Sequence, residues 1–238
     1  MNNMDLIEVS ENPNRHPWEL SRTSCIIQVL RSLNIHGNIL DIGCGDSYFD
    51  HNLLKEDPEL CIYGVDIFLK DEDEINDENL HTVNSLDKLP DIQFDCIIMM
   101  DVLEHIEDHK EYLTNIVKRL KSDGTVFITV PAFMKLFSLH DEELKHFRRY
   151  NHRELMEVIN AAGLKETKWS YFYFSLVIGR LLTMNKTENL SGWNKSADSL
   201  STKFVTWVLN ADFKVLYALS KIGIHLPGLS LMSICKIK

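Results

Sequence analysis

The sequence predicts an α/β fold built on a doubly wound, largely parallel sheet. Three observations carry this. Short apolar strands alternate with helical patterns between residues 38 and 130. Three of these strands run into acids, Asp41, Asp66 and Asp101. The strand Phe94–Met100 is almost continuously apolar, as a strand buried on both faces must be. Ligands of such sheets lie at the carboxyl ends of the strands, so the acids mark where a site is expected.

The elements follow in order. Trp18–Leu33 carries Leu20, Ile26, Ile27, Leu30 and Leu33 as an approximate helical stripe, and Gly37 ends that region. Ile39–Ile42 is the first strand. A helix over Phe49–Lys55 stops before Pro58, and Leu60–Asp66 is the second strand. Leu80–Val83 is the third, Phe94–Met100 the fourth. A helix covers Lys110–Leu120, Ser122-Asp123-Gly124 makes a turn, and Thr125–Val130 is the fifth strand. A helix over Arg153–Ala162, a strand over Leu164–Phe174, a long apolar helix over Phe204–Ile222 and a closing strand within Leu226–Lys236 complete the chain.

Composition bounds the function. A chain of 238 residues with 45% hydrophobic residues is one domain with a sizeable core. A net charge of −10 argues against a nucleic-acid partner. Residues 171–238 carry eight Lys/Arg and three Asp/Glu, a net of +5, which leaves −15 to the other 170 residues. Part of that lies in Asp71–Glu74, read as a solvated loop. Five cysteines, an odd number without a CxxC pair, suit reduced buried thiols. Met1–Asn14 is polar and does not resemble a signal peptide. The longest apolar run, Tyr171–Gly179, is too short to span a membrane, so a cytoplasmic location is expected. The Asn-x-Ser/Thr sequences at 185, 189 and 194 then carry no weight.

The stretch Asn38–Phe49 organises the rest. Its strand ends in Asp41-Ile42-Gly43-Cys44-Gly45, a turn whose glycines let a ligand sit against the main chain. A dinucleotide turn needs a third glycine where Tyr48 stands, and Asp41 does not suit a pyrophosphate. An acid there suits a ligand with a positive group. Asp66 lies 21 residues beyond Gly45, close to the spacing at which an acid reaches a ribose hydroxyl.

The turn resembles motif I of the class I S-adenosylmethionine (SAM)-dependent methyltransferases, and FDCIIMMDVLEHIED (94–108) resembles their motif IV. The segment Ser138–Tyr150 resembles the hD…H-x-RRY signature of a type 11 or type 12 branch, often associated with glycan or lipid-linked substrates. The resemblance implies a Rossmann-like, mostly parallel seven-stranded sheet with an antiparallel last strand. The resemblance covers about residues 36–165 and the final strand, and the single domain reads as an N-terminal helical segment (1–36), a cofactor core (37–170), a helical insertion outside the resemblance (175–225) and a final strand (226–238). It implies SAM as cofactor, S-adenosylhomocysteine as product, and contacts from Asp41, Gly43, Cys44, Gly45, Asp66, Ile67, Asn84, Ser85, Met100, Asp101 and Val102. Ser85 stands where the family's loop carries an acid for the adenine amino group, so Asn84, Ser85 or a carbonyl takes that part. It also places His105 at the start of the helix below the substrate cleft.

For an oxygen acceptor, His140 and His146 are the first candidates as base, with His105 third. Arg148 and Arg149, with Tyr150 beside them, suit a carboxylate or phosphate on the acceptor, although one Arg equally suits Asp141 or Glu142. His105 and His109 are four apart, but no third ligand has matching spacing, so no metal site is predicted. The helix 204–222 reads first as packed on the domain. Sharper readings make it a basic, aromatic lid at a membrane surface or lipid-linked acceptor, or a homodimer contact. Two further readings stand: a non-catalytic SAM-binding regulator, and a NAD-dependent oxidoreductase.

Overall fold

A computed structural model of the chain describes residues 15–183 and 196–238. The opening Met1–Asn14 and the Asn-x-Ser/Thr sequences at 185, 189 and 194 lie outside the described residues.

The first described helix, α1 (Pro17–Arg31), starts where Pro17 presets the first turn and the His16 ring accepts from the Trp18 N–H. Then follow β1 (Asn38–Ile42), α2 (Tyr48–Glu56), β2 (Cys61–Val65), β3 (Leu80–Val83), β4 (Phe94–Met100), α3 (His109–Val117) and β5 (Leu120–Pro131). A short helix α4 (Leu139–Glu143) precedes α5 (His152–Ala161), β6 (Leu164–Phe172), α6 (Phe174–Thr183), α7 (Leu200–Ser220) and β7 (Ser230–Ile237). The seven strands form one sheet in the order β3-β2-β1-β4-β5-β7-β6. Strands β1 to β5 pair parallel, and β7 runs antiparallel between β5 and β6.

Helices cover both faces, which is why the central strands are apolar throughout. Cys25, Ile26 and Leu30 of α1, Phe49 and Leu53 of α2, and Leu209 and Phe213 of α7 pack on one face with Ile39, Ile98 and Phe127. Leu113 and Ile116 of α3 and Leu155 and Val158 of α5 pack on the other with Leu40, Ile97 and Val126. The chain reverses its direction of travel across the sheet between β1 and β4, which brings the loops after these two strands side by side.

Three expectations change. The residues Ser122-Asp123-Gly124 do not separate a helix from a strand; they bulge from within β5. Leu120 pairs with Phe94 and Thr125 with Cys96, so the intervening residues leave the ladder, and a side chain at Gly124 would strike Leu120 at 2.7 Å. His105 does not begin a helix. It ends a 3₁₀ turn, Leu103–His105, and α3 starts at His109. The strand expected to reach Phe174 stops at Phe172, because Asp212 of α7 accepts from the N–H groups of Phe174 and Ser175 and caps a new helix, α6. A cap supplied by a residue 38 positions away leaves no local signal.

Candidate active site

The loop after β1 closes tightly. Gly43 (φ 77°) and Gly45 (φ 57°) take left-handed backbone angles. The N–H groups of Gly43 and Cys44 donate to the Val65 carbonyl at 2.7 and 3.3 Å, fastening the turn to β2. A side chain at Gly43 would meet Val102 Cγ2 at 2.6 Å, so the turn after β1 and the residues after β4 wall one crevice. The Cys44 side chain is buried beside Gly64, and only its backbone belongs to the turn. Tyr48, where a dinucleotide turn has glycine, opens α2 and lies under the Arg15 guanidinium.

Acids surround this turn. Asp66 Oδ2 accepts from the Gly45 N–H at 3.1 Å and Oδ1 from the Phe68 N–H at 2.9 Å. A carboxylate has about four acceptor positions, so Asp66 can hold the turn and still accept hydroxyl donors. Asp41 is fully buried, and so is Asp50 of α2. Neither carboxyl accepts from a backbone N–H or a basic side chain among the described residues; they face each other, and Asp50 also meets Ser47. Burial, with Asp50 beside it, holds the Asp41 carboxyl well above the usual range. Burial likewise pushes Asp50 up to about 7. Two buried carboxyls that face each other behind a glycine turn fit the ammonium of SAM, which would supply a cationic donor to the pair. Gly43, Gly45 and Asp66 fit the same ligand.

The other positions expected at the cofactor lie at or just beyond the carboxyl ends of β2, β3 and β4. Ile67 is 76% exposed, directly after Asp66. Asn84 Nδ2 donates to Asp71 Oδ1 at 2.8 Å, and the Asn84 N–H to Glu74 Oε1 at 3.0 Å. Lys88 bridges Asp71 and Glu74, so part of the acidic loop organises the end of β3. Ser85 caps the turn Leu86–Lys88 by accepting from Asp87. Met100 and Val102 are half-buried, on opposite faces of the sheet. Asp101 (φ 57°) carries an ion pair from Arg22 of α1 and accepts from Thr129 Oγ1 at 3.3 Å. Phe133, just past β5, is also left-handed at φ 59°. Strained residues beyond two adjacent strand ends are a mark of a functional crevice.

The segment after β5 folds around Asp141. Its fully buried carboxylate accepts from His146 Nδ1 at 3.0 Å, Arg149 Nε at 2.7 Å, Arg180 Nη2 at 2.8 Å and the Ser138 N–H at 2.9 Å. Burial alone would raise this acid, but His146 and Arg149 hold it well below the usual carboxylate range. The Phe147 N–H donates to the Glu104 carbonyl at 2.8 Å, which ties the segment to the turn after β4. His146 therefore lies edge-on to His105, with ring centroids 4.5 Å apart. Burial foremost, with His146 beside it, pushes His105 down to about 3, so that ring is neutral near pH 7.

The remaining candidates of this segment take separate positions. His140 is exposed on α4. The Arg149 guanidinium is buried on Asp141 and the Ala132 carbonyl, which realises the pairing with Asp141. Arg148 donates to the carbonyls of Ile106 and Glu107 at 3.0 and 2.9 Å. Tyr150 is 1% exposed, and its hydroxyl donates to the Leu103 carbonyl and meets His109 Nδ1 at 2.5 Å. Arg149 and Tyr150 thus brace the segment from inside. A cleft of about 320 Å³ runs past Arg148 between His109, Met134 and Glu154.

Four residues escaped the sequence reading. Asp50 looks like an ordinary helix acid, Glu104 sits in an acidic run, and Arg22 and Arg180 find their partners only through the fold.

Residues 21–168 match a family profile described as a methyltransferase domain. Part of the chain is similar to a ubiquinone biosynthesis O-methyltransferase of Rickettsia bellii, 30% identical over 97 residues, which covers 38% of this chain and 40% of the relative. It is also similar to a tRNA U34 carboxymethyltransferase of Aliivibrio fischeri, 28% identical over 124 residues, which covers 48% and 37%. The chain thus spans about two fifths of the length of these relatives. Among solved structures, a SAM-dependent methyltransferase from Archaeoglobus fulgidus superposes with a TM-score of 0.53 and 21% identity, covering 90% of this chain and 94% of that one. At that identity the likeness bears on the fold alone.

Proposed function

The chain belongs to the class I SAM-dependent methyltransferases, and we propose that it transfers the methyl group to a hydroxyl oxygen of a small-molecule, glycan or lipid-linked acceptor. In this reading Asp41, Gly43, Gly45 and Asp66 hold SAM, with Asn84 or Ser85 and the backbone at Met100–Val102 at its far side. SAM carries an activated methyl group, so the chain's own residues have two tasks. They align acceptor and methyl, and they take the hydroxyl proton.

The observation that carries the oxygen acceptor is the His146–Asp141 pair. A carboxylate on Nδ1 fixes the ring and leaves Nε2 as the basic nitrogen, the arrangement a general base needs. His105, neutral beside it, positions the ring. His140, exposed on α4, ranks behind both. The relative from Rickettsia bellii is named an O-methyltransferase, which favours oxygen as the accepting atom. The other relative is named for tRNA, but a net charge of −10 favours a non-nucleic acceptor. Arg148, beside the 320 Å³ cleft, suits an anionic group on the acceptor.

A panel of glycan, lipid-linked sugar and hydroxylated small-molecule acceptors with labelled SAM tests the reading. His146→Gln is expected to lower kcat by about 10²–10⁴ with SAM affinity unchanged. SAM binding without transfer to any acceptor, and with no effect of that substitution on bound ligand, would favour a non-catalytic SAM-binding regulator.

A further inference from the structure

We propose that Glu104, His105 and His146 form a binding site for a divalent transition-metal cation of the zinc class. The sequence offers His105 with His109 and no third ligand. The fold gives His109 to Tyr150 and brings His146 to His105 instead. One ligating atom from each of Glu104, His105 and His146 lies within 4.8 Å of the other two. Ligands of a tetrahedral zinc ion stand about 3.3 Å apart, given bonds of about 2.0–2.1 Å, so side-chain rotation closes the triangle. One carboxylate and two imidazoles are a donor set of catalytic zinc, which keeps a position open. Two nitrogen donors weigh against magnesium and calcium, which take oxygen.

Two independent observations point to a cation here. First, Glu104 is fully buried, and neither of its carboxyl oxygens has a hydrogen-bond partner among the described residues. A carboxyl left in that state costs free energy unless something else meets it. Second, both imidazoles already have the outer partners that metal-bound histidines carry. His146 Nδ1 is on Asp141, itself fixed by Arg149, Arg180 and Ser138. The His105 ring hydrogen-bonds the Leu144 backbone. Glu104 and His105 are neighbours on one 3₁₀ turn, and the bond from Phe147 N–H to the Glu104 carbonyl holds His146 against it.

The site lies just past Asp101 and Val102, in the turn that follows β4. An acceptor hydroxyl on the open position would lose its proton to water at lower pH. The oxygen would then displace the methyl group, forming C–O as C–S breaks and S-adenosylhomocysteine leaves. In the cation-free protein Nε2 of His146 is the base; with the cation bound the same lone pair is a ligand and the cation acidifies the hydroxyl, so His146→Gln lowers kcat in either state. That role rests on the methyl-transfer reading; cation binding does not.

The full chain, stripped with a chelator, would be titrated with Zn²⁺ in competition with a chromophoric chelator, and with Co²⁺ by visible absorption. One equivalent of Zn²⁺ and a Co²⁺ band of four- or five-coordinate character are expected. Glu104→Gln keeps the shape of the side chain and should weaken Zn²⁺ at least 100-fold, and Asp141→Asn about 10-fold. SAM titration of the same proteins reports whether the cofactor site is intact, so loss of the metal and loss of the methyltransferase reading are separable. Folded wild type that takes up neither ion in stoichiometric amount would overturn the proposal. So would Glu104→Gln binding Zn²⁺ as tightly as wild type.

Discussion

At the scale of single residues, Asp41 and Asp50 make opposite demands on the molecule with and without cofactor. An acid whose folded pKa is raised binds its proton more tightly in the folded state. Its stability contribution is greatest below the unfolded value of about 3.9 and is lost as pH rises through the folded value, about 7 for Asp50. Without cofactor, Asp50→Asn should therefore be more stable than wild type at pH 8, by about 1–3 kcal/mol. The gap should close near pH 4. Urea unfolding at both pH values measures this, and equal stabilities throughout would refute it. Asp41→Asn should stabilise the empty protein in the same way while weakening SAM about tenfold or more, because a charge-assisted hydrogen bond to the ammonium is lost. Asp41 and Asp66 are legible in the sequence because each follows a short apolar run beside a glycine turn. Asp50 and Glu104 are not, because what distinguishes them is full burial of an acid, a property of the closed fold.

At the scale of elements, α6 and α7 divide between two roles. The α7 residues Leu209, Phe213 and Leu216 are buried against α1 and β6, as the packed-helix reading expects. The same pair of helices leaves Ile178, Leu181, Phe204 and Trp207 more than half exposed. Residues 171–238 carry a net charge of +5. No described helix is long and apolar enough to cross a membrane. If the acceptor is lipid-linked, Phe204→Ser with Trp207→Ser should lower partition onto vesicles of phosphatidylcholine and phosphatidylglycerol by tenfold or more. SAM affinity should not change. Co-sedimentation measures the first and calorimetry the second; unchanged partition would leave this face without a lipid role. Strands β1 to β4 were readable because period and punctuation agree. The start of α6 was not, because its cap comes from α7.

At the scale of the whole molecule, cofactor and stability are linked. SAM at a hundred times its Kd should add about 2.7 kcal/mol, which for a chain of this size is about 5–10 °C in Tm. Asp66→Ala should abolish that shift, since it removes the anchor of the Gly45 N–H and, on the proposed reading, the acceptor for the ribose. Thermal scans with SAM, S-adenosylhomocysteine and NAD measure it, and a shift with NAD alone would reverse the cofactor assignment. The strand order itself has a consequence for assembly. The outer strands of the sheet are β3 and β6. An open edge is a template for another chain. Here β3 has four residues, and His81 is bridged by Asn76 from the preceding loop. The ladder of β6 shifts register between Glu166 and Lys168, with Lys165 and Lys168 exposed. Both rims are therefore poor at recruiting a further strand. Joining two sheets edge to edge into one continuous sheet is thus disfavoured at either rim.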